Sequence, residues 1–252
     1  MQEIKGYLKK LDLKTGIVGF GGIFLIILWA YQGHSSFFLL HFPGLREKES
    51  AELLKILWLH CSAFFLWFLI PLLLIWLVLK ENPGNFGLRI GDYKFGLGFF
   101  LLGVLVMILP LYFTGSNPDF LREYPLTVYA RKSPAWFGLW SLIYLIYYVG
   151  FEFLFRGFFL FGLKDKLGVW GAILFETGLS TVVHIGMTAH QISGVLVVGK
   201  PEMETISALI AGVIFGLVAL RTRSIFYPLL LHWFVGVFTD FSCILHSGGF
   251  FR

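Results

Sequence analysis

Charge is scarce in this chain. Only 14% of its 252 residues are Asp, Glu, Lys or Arg, where ordinary soluble domains carry about 25%, and so few charges exclude the surface of a soluble globular domain. Cysteine is nearly missing too. Cys61 and Cys243 both lie within apolar runs, which is the habit of small core side chains rather than of a disulfide. No HExxH pattern occurs, so a water-activating or metal-binding site has to be assembled from separate helices. The opening MQEIKGYLKKLDLKTG is polar for too long and has no small-residue cleavage site, so a cleaved signal peptide is not expected. The first helix then acts as its own targeting signal. No internal repeat of the kind many transporters carry is visible. The net charge of +5 is modest and the basic residues sit at helix ends, where they meet anionic headgroups, so nucleic-acid binding is not expected.

What is abundant is apolar surface. Hydrophobic residues make up 57% of the chain, with 29 Phe and 8 Trp, and the mean hydropathy is +0.79. The apolar runs approach or exceed the roughly 20 residues that cross a bilayer core. They predict an all-α, polytopic transmembrane helical bundle with about seven spans, in a range of six to eight. The spans fall at 16–38, 53–79, 94–114, 136–163, 168–188, 205–220 and 224–246, with 205–220 short and 189–204 ambiguous. A cytoplasmic N-terminus in the cell (inner) membrane then puts eleven Lys and Arg on the inner segments (among them Lys5, Lys9, Lys10, Lys14, Arg89, Lys164 and Arg223). Eight fall on the outer ones, a small excess in the expected direction.

The informative residues are the ionisable ones within the spans, since each is costly there unless paired or wetted. They are His60, Glu152, Arg156, Glu176, His184, His232 and Asp240. Glu152 and Arg156 are four residues apart, so a helix brings them to one face as an ion pair, and the adjacent Gly157 lets another helix approach closely. His184 and His232 stand in apolar surroundings. With Glu152 they form a trio able to activate water or hold a metal. His60 reads as structural. At ~1.5 Å per residue from the cytoplasmic helix ends, Glu152 lies at ~16 Å depth, His232 and Glu176 at ~12 Å, and His184 and Asp240 at ~24 Å. Asp240, eight residues beyond His232, is about 12 Å away along a straight helix.

Residues 85–245 resemble the CPBP family, the Abi or type II CAAX prenyl protease group of intramembrane peptidases. The resemblance rests on FGLRIGDYKFGL, FEFLFRGFFL, the helix ending at His184, KPEMETISALIAGVIFGLVALRTRSI and LLLHWFVGVFTD, in that order. The family's first signature is two glutamates, three residues and an arginine. Here Phe151 takes the first glutamate position, Glu152 the second, and Arg156 follows. The second, a phenylalanine separated by three residues from a histidine, stands as Ser180 and His184. The third, a histidine separated by three residues from asparagine or another polar group, stands as His232 and Gly236.

The resemblance implies N-terminal transmembrane helices over 1–84 and a catalytic-type helical core over 85–252, integrated in one membrane domain. It implies an intramembrane peptidase that cuts a membrane-proximal or prenylated peptide. Glu152, His184 and His232 would be catalytic, with Arg156, Asp240 and Glu176 in support. Glu176 is the candidate stand-in for the acid missing at Phe151, and Asp240 would assist His232 if the helix bends. A divalent metal such as zinc, if one is held, would fall to Glu152, His184 and His232. Two other readings stay open: an inactive family member serving as a membrane binding or immunity factor, to which Phe151 and Gly236 point, and a proton-coupled transporter.

Overall fold

The computed structural model describes residues 12–48, 50–186, 189–192 and 195–251, with side chains for all of these except 186, 189–192 and 195–198. Lys5, Lys9, Lys10, Arg252 and the side chain of His190 lie outside the described residues. Among the described residues, six helical stretches are long and apolar enough to cross a membrane. They are α1 (Leu13–Gly33), α2 (Ala51–Val78), α3 (Tyr93–Thr114), a stretch over Pro134–Ile185, α6 (Glu202–Thr222) and α7 (Phe226–His246).

The 52-residue stretch is two helices, α4 (134–167) and α5 (169–185), because Gly168 has non-helical φ 72° and ψ 166°. Backbone of that kind is open almost only to glycine. A straight helix would hold Arg156 and Glu176 about 30 Å apart, yet their side chains approach to 3.5 Å. The chain therefore turns back at Gly168, so that among the described residues the six stretches hold seven helices, within the expected six to eight.

Local chemistry sets the helix ends. Asp12 accepts the Thr15 backbone N–H at 2.8 Å, Asp92 that of Phe95 at 3.2 Å, and Ser133 that of Trp136 at 3.2 Å, with Pro134 opening the helix behind it. Each cap satisfies an amide that has no helical partner. α6 is longer than the expected 205–220 and takes in Glu202 and Glu204. The stretch before it contains an antiparallel hairpin, β1 (Ala189–Ile192) and β2 (Val195–Val198), with Ala189 opposite Val198.

The core lies around the middle of α4, where Phe151, Phe153, Leu154, Phe155, Phe158 and Phe159 are all buried. α5 packs on α6, α3 on α7, and α2 on α4. Gly150 permits the last contact: a Cβ there would stand 2.9 Å from the Ala63 carbonyl oxygen of α2. Leu101, Leu102, Leu105 and Leu109 of α3 point outward, as a lipid-facing helix requires. Ion pairs Lys14–Glu81 (2.9 Å), Lys166–Asp12 (3.3 Å) and Arg221–Asp92 (2.8 Å) gather one set of helix ends. Lys200–Glu123 (2.9 Å) joins segments at the other.

Candidate active site

Glu152 sits on α4 where the helix widens into a π-helical stretch, Phe153–Phe159. Such stretches are frequent at functional sites. The carboxylate is fully buried, and it meets His232 of α7 with Oε1 2.6 Å from Nδ1. Arg156 Nη1 donates to the same oxygen at 3.4 Å. Oε2 is buried without a hydrogen-bond partner among the described residues. A carboxylate only accepts, so the proton of this bond lies on Nδ1 and the His232 Nε2 lone pair is left free when the ring is neutral.

Arg156 is shared between two helices. Its Nε lies 3.5 Å from Glu176 Oε2 on α5, so one buried guanidinium stands between two buried carboxylates. Gly216 of α6 leaves room for this arrangement, since a Cβ there would stand 2.9 Å from Glu176 Oε1. The guanidinium also lies 5.6 Å and 5.7 Å from the ring centres of Phe151 and Phe215, within cation–π range.

His184 is buried near the end of α5, and its Nδ1 is 2.8 Å from the Ser180 carbonyl oxygen. A carbonyl accepts, so Nδ1 carries the proton and Nε2 is the free nitrogen of the neutral ring. Its link to the Glu152–His232 pair runs through Phe151, whose ring meets His184 edge-on at 5.8 Å and His232 at 5.2 Å. The phenyl group thus sits against both imidazoles.

Asp240 is held elsewhere. It accepts from Trp140 Nε1 at 2.6 Å and from the Leu126 backbone N–H at 3.2 Å, fastening the 124–126 segment to α4, and α7 runs unbroken through it. The bend that would carry it toward His232 is not found. His60, fully buried, lies in an aromatic cage of Trp140, Tyr144 and Tyr147 with ring centres 5.1–5.3 Å away. Among the described residues no three His, Cys, Asp or Glu side chains come together as a metal-ligand group, and Glu152 Oε1 is already engaged.

Two residues that the sequence did not single out belong to this site. The Tyr148 ring lies 4.5 Å from His232, and its hydroxyl occupies the notch at Gly236, 2.0 Å from where a Cβ would be. Its place four residues before Glu152 was the available signal. Lys200 donates its backbone N–H to the His184 carbonyl at 3.1 Å. Its buried ammonium lies 2.8 Å from the Tyr124 hydroxyl, which in turn donates to Glu204 at 2.7 Å. No sequence pattern pointed to it.

The buried acid Glu152, with Arg156, His184 and His232, is drawn from three helices of a polytopic bundle, and Glu152 and His232 are in direct contact. Residues 133–238 match the family of type II CAAX prenyl endopeptidase Rce1-like proteins. The CAAX-protease-like resemblance is therefore shown over the segment that carries Glu152, Arg156, Glu176, His184 and His232. No curated protein and no solved structure matches the chain.

Proposed function

We propose that this protein is an active intramembrane peptidase that hydrolyses a membrane-proximal or prenylated peptide with Glu152 as general base. The observation that carries this reading is the 2.6 Å contact between Glu152 and His232, residues 80 positions apart and on different helices. Burying a carboxylate is costly, and this one keeps an acceptor, Oε2, without a partner among the described residues while Oε1 meets a histidine. Oε2 takes the proton of the attacking water as the water oxygen bonds to the scissile carbonyl carbon. His232 and Arg156 hold Oε1 and so fix the carboxylate's direction. The carbonyl becomes an oxyanion, for which the Tyr148 hydroxyl in the Gly236 notch is the neighbouring donor. Collapse expels the amine, which leaves with the proton held on Glu152. His184 shares the orientation of the water through its free Nε2.

A zinc ion on Glu152, His184 and His232 would polarise the carbonyl and acidify the water. The described side chains do not converge as that ligand set, and none of the steps above is routed through a metal. Metal analysis of purified protein beside Glu152→Ala decides the point. The N-terminus is placed in the cytoplasm on the excess of basic residues at that end.

The test is cleavage of a membrane-anchored, prenylated reporter peptide in liposomes by the wild type, Glu152→Gln, His232→Gln and the double variant. Residues that act as a unit lose activity non-additively. Each single variant should then lose cleavage about 100-fold or more, and the double variant should be no worse. The Phe151 ring between the two histidines favours a second reading, an inactive binding or immunity protein. Cleavage by Phe151→Glu with none by the wild type would establish that reading and remove the first.

A further inference from the structure

At the membrane end that holds the start of α1, four basic side chains from four segments meet in one cleft of about 460 Å³. Lys14 comes from α1, Arg89 from the α2–α3 connection, Lys164 from the end of α4 and Arg223 from the α6–α7 turn. Two carboxylates line it as well, and each is paired: Glu81 with Lys14 and Asp165 with Lys164, both at 2.9 Å. That leaves Arg89 and Arg223, with no carboxylate partner among the described residues.

The two arginines are held together by backbone. Arg89 Nε donates to the Arg223 carbonyl at 3.2 Å. Ile225 N–H bonds the Gly87 carbonyl at 3.1 Å, and Asp92 N–H the Thr222 carbonyl at 3.0 Å. Gly91, at φ 60°, makes this clasp possible: a Cβ there would stand 1.9 Å from the Thr222 carbonyl oxygen. Arg223 itself adopts φ 56°, a left-handed conformation that a non-glycine residue adopts at some cost. The fold thus brings two arginines, neither with a carboxylate partner among the described residues, to the wall of one cleft before any ligand arrives. The cleft also has Phe161 and Leu220 in its wall, and it opens at a bilayer surface.

We propose that this cleft binds a phosphate group, supplied by the headgroup of an anionic phospholipid. Arg and Lys pair with phosphate oxygens as charge-assisted donors. Membrane proteins use basic pockets between helices for such headgroups, and the apolar wall suits the glycerol and acyl portion. The site is independent of the peptidase reading, because it includes none of Glu152, His184 or His232.

The test uses the full chain in neutral detergent, with binding of phosphatidylglycerol, phosphatidylcholine and inorganic phosphate followed by native mass spectrometry and by thermal midpoint. Phosphatidylglycerol should be retained and should stabilise the protein more than phosphatidylcholine does. At about 1 kcal/mol per basic residue, Arg89→Gln with Arg223→Gln should weaken phosphatidylglycerol binding about 30-fold. Lys48→Gln with Arg122→Gln, which removes the same charge at the opposite end, should leave it unchanged. Asp165→Asn changes only an exposed side chain and should tighten binding about fivefold, so the proposal stays testable if the arginine variant fails to fold. Equal binding of both lipids, or a preference that Asp165→Asn leaves unmoved, would overturn the proposal. Equal stabilisation by inorganic phosphate would overturn the lipid as the source.

Discussion

Arg156→Met removes the only cation that the described contacts place beside two buried carboxylates. In the intact protein Arg156 reaches Glu152 at 3.4 Å and Glu176 at 3.5 Å, with all three side chains at most 3% exposed. Breaking one buried pair by removing a partner costs about 3–5 kcal/mol. Here the loss falls on both acids, so the upper part of that range is expected, a large fraction of the roughly 5–15 kcal/mol that holds a domain folded. For a chain of this size about 2–4 °C of midpoint accompanies each kcal/mol, which gives a drop of about 10–20 °C. Rescue is the sharper measurement. If Glu152 were the sole partner, Arg156→Met with Glu152→Gln would recover nearly all the loss. Because Glu176 is the second partner, that variant should recover about half. Adding Glu176→Gln should recover most of the rest, since no unpaired charge then remains. The assay is thermal unfolding in one detergent at one pH for the four proteins. A single-variant midpoint within about 2 °C of wild type, or full recovery without the change at Glu176, would refute the shared-arginine geometry.

Further outcomes follow from the same contacts. Gly236→Ala would set its Cβ 2.0 Å from the Tyr148 hydroxyl, so it should lower reporter cleavage more than tenfold, and pairing it with Tyr148→Phe should recover folding without recovering cleavage. Burial pushes the Lys200 pKa down, but Glu204 and Glu123 more than reverse this and it lies above the ordinary lysine value of 10.5. Its charge therefore adds stability that is fully present below pH 10.5 and is lost as pH rises through the folded-state value. Unfolding midpoints of the wild type should accordingly fall across that alkaline window by more than those of Lys200→Met. A cysteine at exposed Asp165 should escape an impermeant thiol reagent in intact cells, and labelling there would reverse the assigned orientation.

Much of the architecture was legible in the sequence because lipid imposes a coarse rule: apolar runs of sufficient length become helices. The turn at Gly168 shows as the gap between the fourth and fifth runs. α6 was harder to delimit, because Glu202 and Glu204 look like loop residues until Tyr124 and Lys200 are seen around Glu204. The same limit applies to the site. Glu152 and Arg156 could be paired from their four-residue spacing, which is a local property of a helix. The contacts Glu152–His232 and Arg156–Glu176 depend on how helices pack, which spacing does not encode. Asp240 illustrates the converse. It stands two turns along the same helix from His232, and only the fold reveals that Trp140 and Leu126 hold it.

Under the peptidase proposal, Glu152 drives peptide hydrolysis inside the bilayer. The most direct measurement is mass spectrometry of the products formed from a prenylated reporter peptide by reconstituted wild type and by Glu152→Gln, at equal folded protein. The proposal requires a single new carboxyl terminus with the wild type and its loss by about 100-fold or more with the variant. Equal product from the two proteins would contradict it, as would intact peptide with both.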